Sequence, residues 1–359
     1  MPDPSRLHAD DDLYAHAMAA HQAGRHQDAV RLLWQASQQG HVAAMSLLGA
    51  QLLSGRGAAP DPPAGMRLIQ QAAEGGGDYA CALAATIAAS GVQGPADWPH
   101  ALDFLQRSAE LGYAVAQAQL RLLAGPRGAA GGAWAELRRS VDLAAWRAPP
   151  EAQVILEDPS IRMARGFASV PVCDWIISRA RDRLAPAQLF DTAALRPVIK
   201  DTRSNSAAPF DLVYLDLVIL LLRERLAAAV GVAMPALEAP QVFHYAVGQT
   251  FAPHYDFLEP DVPGHAASIA QSGQRVATLL VYLNEAYEGG ETDFPLLGAR
   301  WRGRTGDALM FANTDAGGEP DRRMFHAGLP PTSGEKWLFS QWVRGAPGAQ
   351  WGRVESPDR

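Results

Sequence analysis

His254-Tyr255-Asp256 sets an imidazole and a carboxylate two residues apart, His326 follows Asp256 by seventy positions, and Lys336 lies ten further on. In an extended strand residues i and i+2 share a face, so a strand over 251–257 would project His254 and Asp256 together. An imidazole delivered from a distant strand, His326, completes a two-histidine, one-carboxylate set. Such a set covers one side of a metal and leaves the other open, the usual arrangement of non-haem Fe(II) oxygenases. A lone His-X-Asp arises often by chance; the downstream residues give it weight. Of 31 basic residues only Lys200 and Lys336 are lysines, so arginine supplies the routine surface charge and a lysine at 336 stands out.

These residues need a β-rich frame. The spacing predicts strands over 241–246, 251–257, 276–283, 290–294, 308–312, 323–327 and 336–343, with helices over 173–184 and 212–230 buttressing one side. Many short strands closing on themselves imply a jelly-roll or double-stranded β-helix whose mouth can hold a ligand. Lys336 and Trp342, an even number apart, would share one strand face. The segment 259–273, rich in Pro, Gly, Ala and Ser, reads as a loop and a candidate lid. His244 has the wrong parity for the site and His265 falls in that loop, so both are left out.

The first third of the chain is different in kind. Gly40, Gly76 and Gly112 recur every 36 residues, each followed four positions later by Ala44, Ala80 or Ala116; Leu33, Ile69 and Leu105 keep the same phase, as do Ala36, Ala72 and Ser108. Small residues at fixed offsets with a period in the thirties indicate stacked helical hairpins, with the glycines just past helix ends. Helices are expected over 28–39, 42–53 and 63–74, and a further one over 133–146 after the glycine-rich 125–132. Trp34, Trp98 and Tyr113 are read as core residues before groove anchors. The expected domains are therefore 10–147 and 152–346: a multidomain protein, an α-helical repeat solenoid followed by the β domain with flanking helices.

Composition sets bounds. A net charge of −7 argues against nucleic acid and anionic membranes as partners, and two distant cysteines, Cys81 and Cys173, argue against a disulfide framework. The apolar run 212–226 is too short and too interrupted by charge to span a membrane. The acidic start of the chain does not resemble a secretory signal, so a cytoplasmic location is expected.

Two resemblances follow from longer blocks. "GHVAAMSLLG" at 40–49 with "SGRGAAPDPPAGMRLIQQAAEGG" at 54–76 resembles the Sel1-like branch of the tetratricopeptide superfamily, implying a surface that recruits a protein partner or substrate. "DTRSNSAAPF" at 201–210, "FHYAVGQTFAPHYDF" at 243–257, "GQRVATLLVYLNEAYEGGETDFP" at 273–295, "GDALMF" at 306–311 and "FHAGLPPTSGEKWLFSQW" at 325–342 together resemble the prolyl 4-hydroxylase-type Fe(II)/2-oxoglutarate dioxygenases. The resemblance implies Fe(2+), 2-oxoglutarate and L-ascorbate, and hydroxylation of a protein or peptide side chain. It carries the metal and catalytic roles onto His254, Asp256 and His326, the distal carboxylate of 2-oxoglutarate onto Lys336, supporting hydroxyls onto Tyr245 and Thr292, an aromatic wall onto Trp342, and a substrate contact onto Arg203. Weighed beside it are an interaction scaffold with an inert oxygenase domain, an oxygenase acting on a small molecule, and a cupin-like Zn or Mn hydrolase. The cupin reading would need neither Lys336 nor the "GGETDFP" block.

Overall fold

The computed structural model describes residues 4–191, 196–198 and 202–345. Lys200 lies outside them. The chain divides into two compact units, Met1–Leu143 with Asp211–Leu220, and Ala144–Phe210 with Leu221–Arg359.

In the first unit the 36-residue period becomes antiparallel helix pairs: Pro4–Gln22, His26–Gln38, Val42–Ser54, Pro62–Glu74, Asp78–Ser90, Trp98–Glu110 and Ala114–Leu123. Residues in phase occupy equivalent buried positions, with Leu33, Ile69 and Leu105, then Ala44, Ala80 and Ala116, each at most 2% exposed. Gly40, Gly76 and Gly112 hold φ of 91°, 86° and 97°, the left-handed region that ends a helix at little cost only for glycine. Gly49 and Gly65 serve a different purpose. A Cβ on Gly49 would stand 2.9 Å from the Gly65 carbonyl and one on Gly65 2.8 Å from the Gly49 carbonyl, so bare backbone lets these helices touch. Trp98 is core at 4% exposed, whereas Trp34 is 41% exposed.

Two expectations shift here. The helix expected over 133–146 is broken into Trp134–Arg139 and Leu143–Arg147. The helix expected over 212–230 begins at Leu217, where Asp216 accepts a hydrogen bond from the Ile219 N–H as an N-cap. The residues before it belong to the first unit: the Leu217 N–H donates to Gln119 Oε1, Thr86 Oγ1 donates to the Leu215 carbonyl, and Leu212 and Val213 pack on the core around Ile69 and Leu83. A division into 10–147 and 152–346 does not account for this segment, because its partners are the repeat helices rather than a sheet.

The second unit is built from antiparallel sheets. The larger runs Ala152–Leu156, Ile161–Ala164, Ala308–Ala312, Gln274–Tyr282, Lys336–Gly345, Gln241–Tyr245, Ser206–Pro209 and Ala185–Pro186. The smaller runs Ala299–Trp301, Thr292–Phe294, His326–Gly328 and Phe251–His254. Their inner faces share one core in which Phe294 meets Phe311 edge-on at 5.2 Å, with Phe251, Leu280 and Leu338 around them. This is the double-layered jelly-roll arrangement. Gln274–Tyr282 and Lys336–Val343 are almost wholly buried, because helices cover their outer face: Arg223, from the helix Leu217–Val230, donates to Gln341.

The segment 259–273 is not a loop. Pro263–Ser272 forms a helix with Pro263 in its first turn, and the same small residues that suggested a flexible linker are ordinary helix formers once a proline starts them.

Candidate active site

Register delivers the chemistry. His254 ends the strand Phe251–His254 and lies directly opposite His326 across the antiparallel pair. Their rings are 4.4 Å apart. The strand expected over 251–257 stops at His254, so strand parity is not what aims Asp256. The carboxylate sits in the bend that follows and is held by Thr278, whose Oγ1 donates to Asp256 Oδ2 at 2.7 Å; Asn313 Nδ2 in turn donates to Thr278 Oγ1 at 2.9 Å.

Each imidazole is fixed by its own backbone. His254 Nδ1 lies 2.9 Å from the Ala252 carbonyl and His326 Nδ1 lies 2.9 Å from the Met324 carbonyl. A carbonyl only accepts, so the proton sits on Nδ1 and the Nε2 lone pairs face inward. There Nε2 of His254 is 3.6 Å from Asp256 Oδ1 and Nε2 of His326 is 3.5 Å from Asp256 Oδ2. All three donor atoms fall within 4.8 Å of one another, the sole such group of three among the described residues. Burial works to raise the Asp256 carboxyl, but the two histidines hold it well below the usual range, so it is an anion. Burial and the neighbouring His326 lower His254, whereas the Asp256 carboxylate outweighs burial at His326 and raises it. With His326 giving up its extra proton as a metal enters, two neutral imidazoles and one carboxylate suit Fe(II) and leave a face open.

Behind the triad is a small inner cavity lined by Tyr245, Leu280, Thr292, Lys336, Ser340 and Trp342 among others. Lys336 pairs directly with Tyr245 across strands, and its Nζ lies 5.1 Å from the Tyr245 ring and 5.9 Å from the Tyr282 ring. The side chain is fully buried and Nζ has no hydrogen-bond partner among the described residues. Burial pushes its ammonium down to about 7, against the attraction of Glu291. Ser340 Oγ and Trp342 Nε1, on the same strand face, are likewise buried and unpartnered. A cation, a hydroxyl and an indole N–H with nothing to bind fit an anion such as the distal carboxylate of 2-oxoglutarate.

The remaining expected residues are placed as follows. Thr292 Oγ1 is 2.9 Å from the Tyr282 hydroxyl, inside the cavity. Burial pushes Tyr245 up to about 12, so it is a neutral hydroxyl. Arg203 is buried rather than on the surface and lines an outer cleft of about 600 Å³ with His254, Asp256, His265 and Trp342. His244 turns away to pair with Glu335 at 2.8 Å. His265 lines the cleft from the helix Pro263–Ser272 and accepts from the Glu259 N–H.

Thr278, Tyr282, Asn313 and Ser340 were not singled out from the sequence. Alternation could have found three of them: Thr278, Leu280 and Tyr282 share one face, and Ser340 lies between Lys336 and Trp342. Asn313 carried no such signal, since it follows the strand Ala308–Ala312.

No helix among the described residues is long and apolar enough to cross a membrane. The 2OG-Fe(II) oxygenase superfamily model matches residues 240–344, which contain the triad, Lys336 and Trp342. Prolyl 4-hydroxylase 1 of Arabidopsis thaliana is 30% identical over 206 residues, covering 54% of this chain and 71% of that protein. A viral collagen prolyl hydroxylase of Paramecium Bursaria Chlorella virus-1, solved with 2OG, is 28% identical over 52% of this chain and 96% of its own, with a TM-score of 0.40. A Sel1 repeat protein from Oxalobacter formigenes is 19% identical over 41% of this chain and 64% of its own, with a TM-score of 0.32. With that identity to a prolyl 4-hydroxylase and that coverage of its length, the chain belongs to the prolyl 4-hydroxylase family of 2OG-Fe(II) oxygenases.

Proposed function

We propose that the chain hydroxylates a prolyl side chain of a protein or peptide, with His254, Asp256 and His326 holding Fe(II) and Lys336 anchoring 2-oxoglutarate. The convergence of three ligand atoms beside the cleft carries this reading. Iron and 2-oxoglutarate together supply the oxidising chemistry: dioxygen is divided between decarboxylation of the co-substrate to succinate and a hydroxyl group on the target carbon.

The chain's own residues prepare that step. Asp256, oriented through Thr278 and Asn313, and the two Nδ1-protonated imidazoles keep three donors on one side of the metal. Lys336 pairs with the distal carboxylate, Tyr245 and Thr292 offer hydroxyls to the same end, and Trp342 walls both the inner cavity and the cleft. Arg203 meets the substrate from the cleft wall. Ascorbate keeps the iron ferrous, the helical repeats of 10–147 recruit the partner or substrate to the oxygenase of 152–346, and two free buried thiols suit a reducing cytoplasm.

The test is Fe(II)-dependent conversion of 2-oxoglutarate to succinate, with mass spectrometry for one added oxygen on proline in proteins captured by the chain. Succinate formation should be abolished in His254→Ala. Turnover that persists in that variant would place the metal elsewhere.

A further inference from the structure

The cleft over the triad is cationic in a chain whose net charge is −7. Arg203, Arg275 and Arg344 line it, and among the described residues that line it the only carboxylate is Asp256 of the triad. Arg275 and Arg344 share Glu238: Arg275 donates to both of its oxygens at 2.7 and 2.9 Å, and Arg344 ion-pairs with the same group. Arg344 is further spent on the Gly273 carbonyl and Ser268 Oγ, so its task is to hold the helix Pro263–Ser272.

Arg203 makes no ion pair with a carboxylate among the described residues, and Asp256 acts on it only through its field. It is 6% exposed; Nε donates to Asn205 Oδ1 and Nη1 to the Gln188 carbonyl, each at 3.2 Å. Nη2 is buried and has no hydrogen-bond partner among the described residues. The guanidinium lies 4.2 Å from the centroid of Phe251, and the Phe251 ring stacks on His254 at 3.5 Å. An unanswered cation therefore sits one aromatic ring away from a triad ligand. A buried guanidinium held only by neutral acceptors is costly, and its fork of donors matches a carboxylate.

We propose that the cleft selects substrates carrying a carboxylate beside the carbon to be oxidised, and that Arg203 receives it while Arg275 strengthens the positive field. This rests on the oxygenase reading for the location of the oxidised carbon. The carboxylate can come from an acidic side chain flanking the target residue in a peptide, or from the α-carboxylate of a free amino acid.

The experiment is calorimetric titration of the full chain, loaded with Fe(II) and 2-oxoglutarate under nitrogen. The probes are a decapeptide containing Glu-Pro-Gly, its Gln-Pro-Gly counterpart, free L-proline and L-prolinamide. The acidic member of at least one pair should bind about tenfold tighter or more, and the preference should shrink with added salt. Preference within the peptide pair assigns a flanking acid; preference for L-proline over prolinamide assigns the free amino acid. Arg203→Gln should erase the preference and Arg203→Lys should keep part of it. Equal binding within both pairs, or a preference undiminished in Arg203→Gln, overturns the proposal. Should Arg203→Gln fail to fold, the salt dependence in the unaltered chain and Arg203→Lys decide the matter. Acid preference with no hydroxyproline formed once the same mixtures are exposed to air would leave the carboxylate site standing and sink the proline reading alone.

Discussion

At the scale of single residues the site depends on groups that touch no ligand as much as on those that would. Thr278 donates to Asp256 and accepts from Asn313, so Thr278→Val leaves the carboxylate free to turn. Iron affinity is expected to fall about 10- to 100-fold, checked by titrating Fe(II) under nitrogen, while the fold stays intact. Lys336 illustrates the opposite economy, since a fully buried ammonium with no hydrogen-bond partner among the described residues destabilises the ligand-free chain. Lys336→Met should raise stability by about 1–4 kcal/mol in thermal or denaturant unfolding and abolish 2-oxoglutarate binding. The sign with pH follows. The unfolded chain keeps this proton up to about pH 10.5 and the folded chain only up to about 7, so the site's contribution to stability increases as pH climbs between those values. Conversely, 2-oxoglutarate affinity should weaken above about pH 7, approaching tenfold per pH unit, because binding requires Lys336 to take the proton up. Calorimetry in buffers of different ionisation enthalpy would register that uptake; no buffer dependence at pH 8 would contradict it.

At the scale of elements, what the sequence made legible is what periodicity encodes. The 36-residue recurrence marked the repeat helices because equivalent residues enter equivalent buried positions, and Ala308–Ala312 was placed to the residue. Lys336 and Trp342 were correctly set on one face, since that strand pairs regularly up to Val343 and its register shifts only beyond it. Periodicity misled where local composition and tertiary context part company. Asp256 reaches the site from a bend that a neighbouring strand's threonine stabilises, not from strand parity. Pro263–Ser272 looked like a linker because small residues are ambiguous until a proline and a packing surface settle them. The division of 133–146 into two short helices has no counterpart in the pattern of apolar residues. The repeat helices give their own prediction. Gly49→Val would force the helices Val42–Ser54 and Pro62–Glu74 apart, because its Cβ meets the Gly65 carbonyl and the Ile69 side chain. A loss of roughly 1–3 kcal/mol in unfolding free energy is expected, and Gly24→Ala, whose Cβ meets nothing within 4 Å, serves as the comparison with a smaller, purely conformational cost.

For the whole molecule, the compact units do not follow the order of the chain. Asp211–Leu220 lies between stretches of the oxygenase unit yet finds its partners among the repeats, through Gln119, Thr86 and Arg56. Expressing 152–346 alone should expose Leu212, Val213 and Leu215 and lower solubility and melting temperature relative to the full chain; equal melting temperatures would show that segment to be dispensable. The two cavities of the oxygenase unit also have a joint consequence. Phe251, His254, Asp256 and Trp342 belong to the walls of both, so the two adjoin at the triad. Whatever settles in the vestibule stands across the doorway of the chamber behind it. Loading must then run from back to front, and a visitor that arrives early works as a stopper rather than a guest.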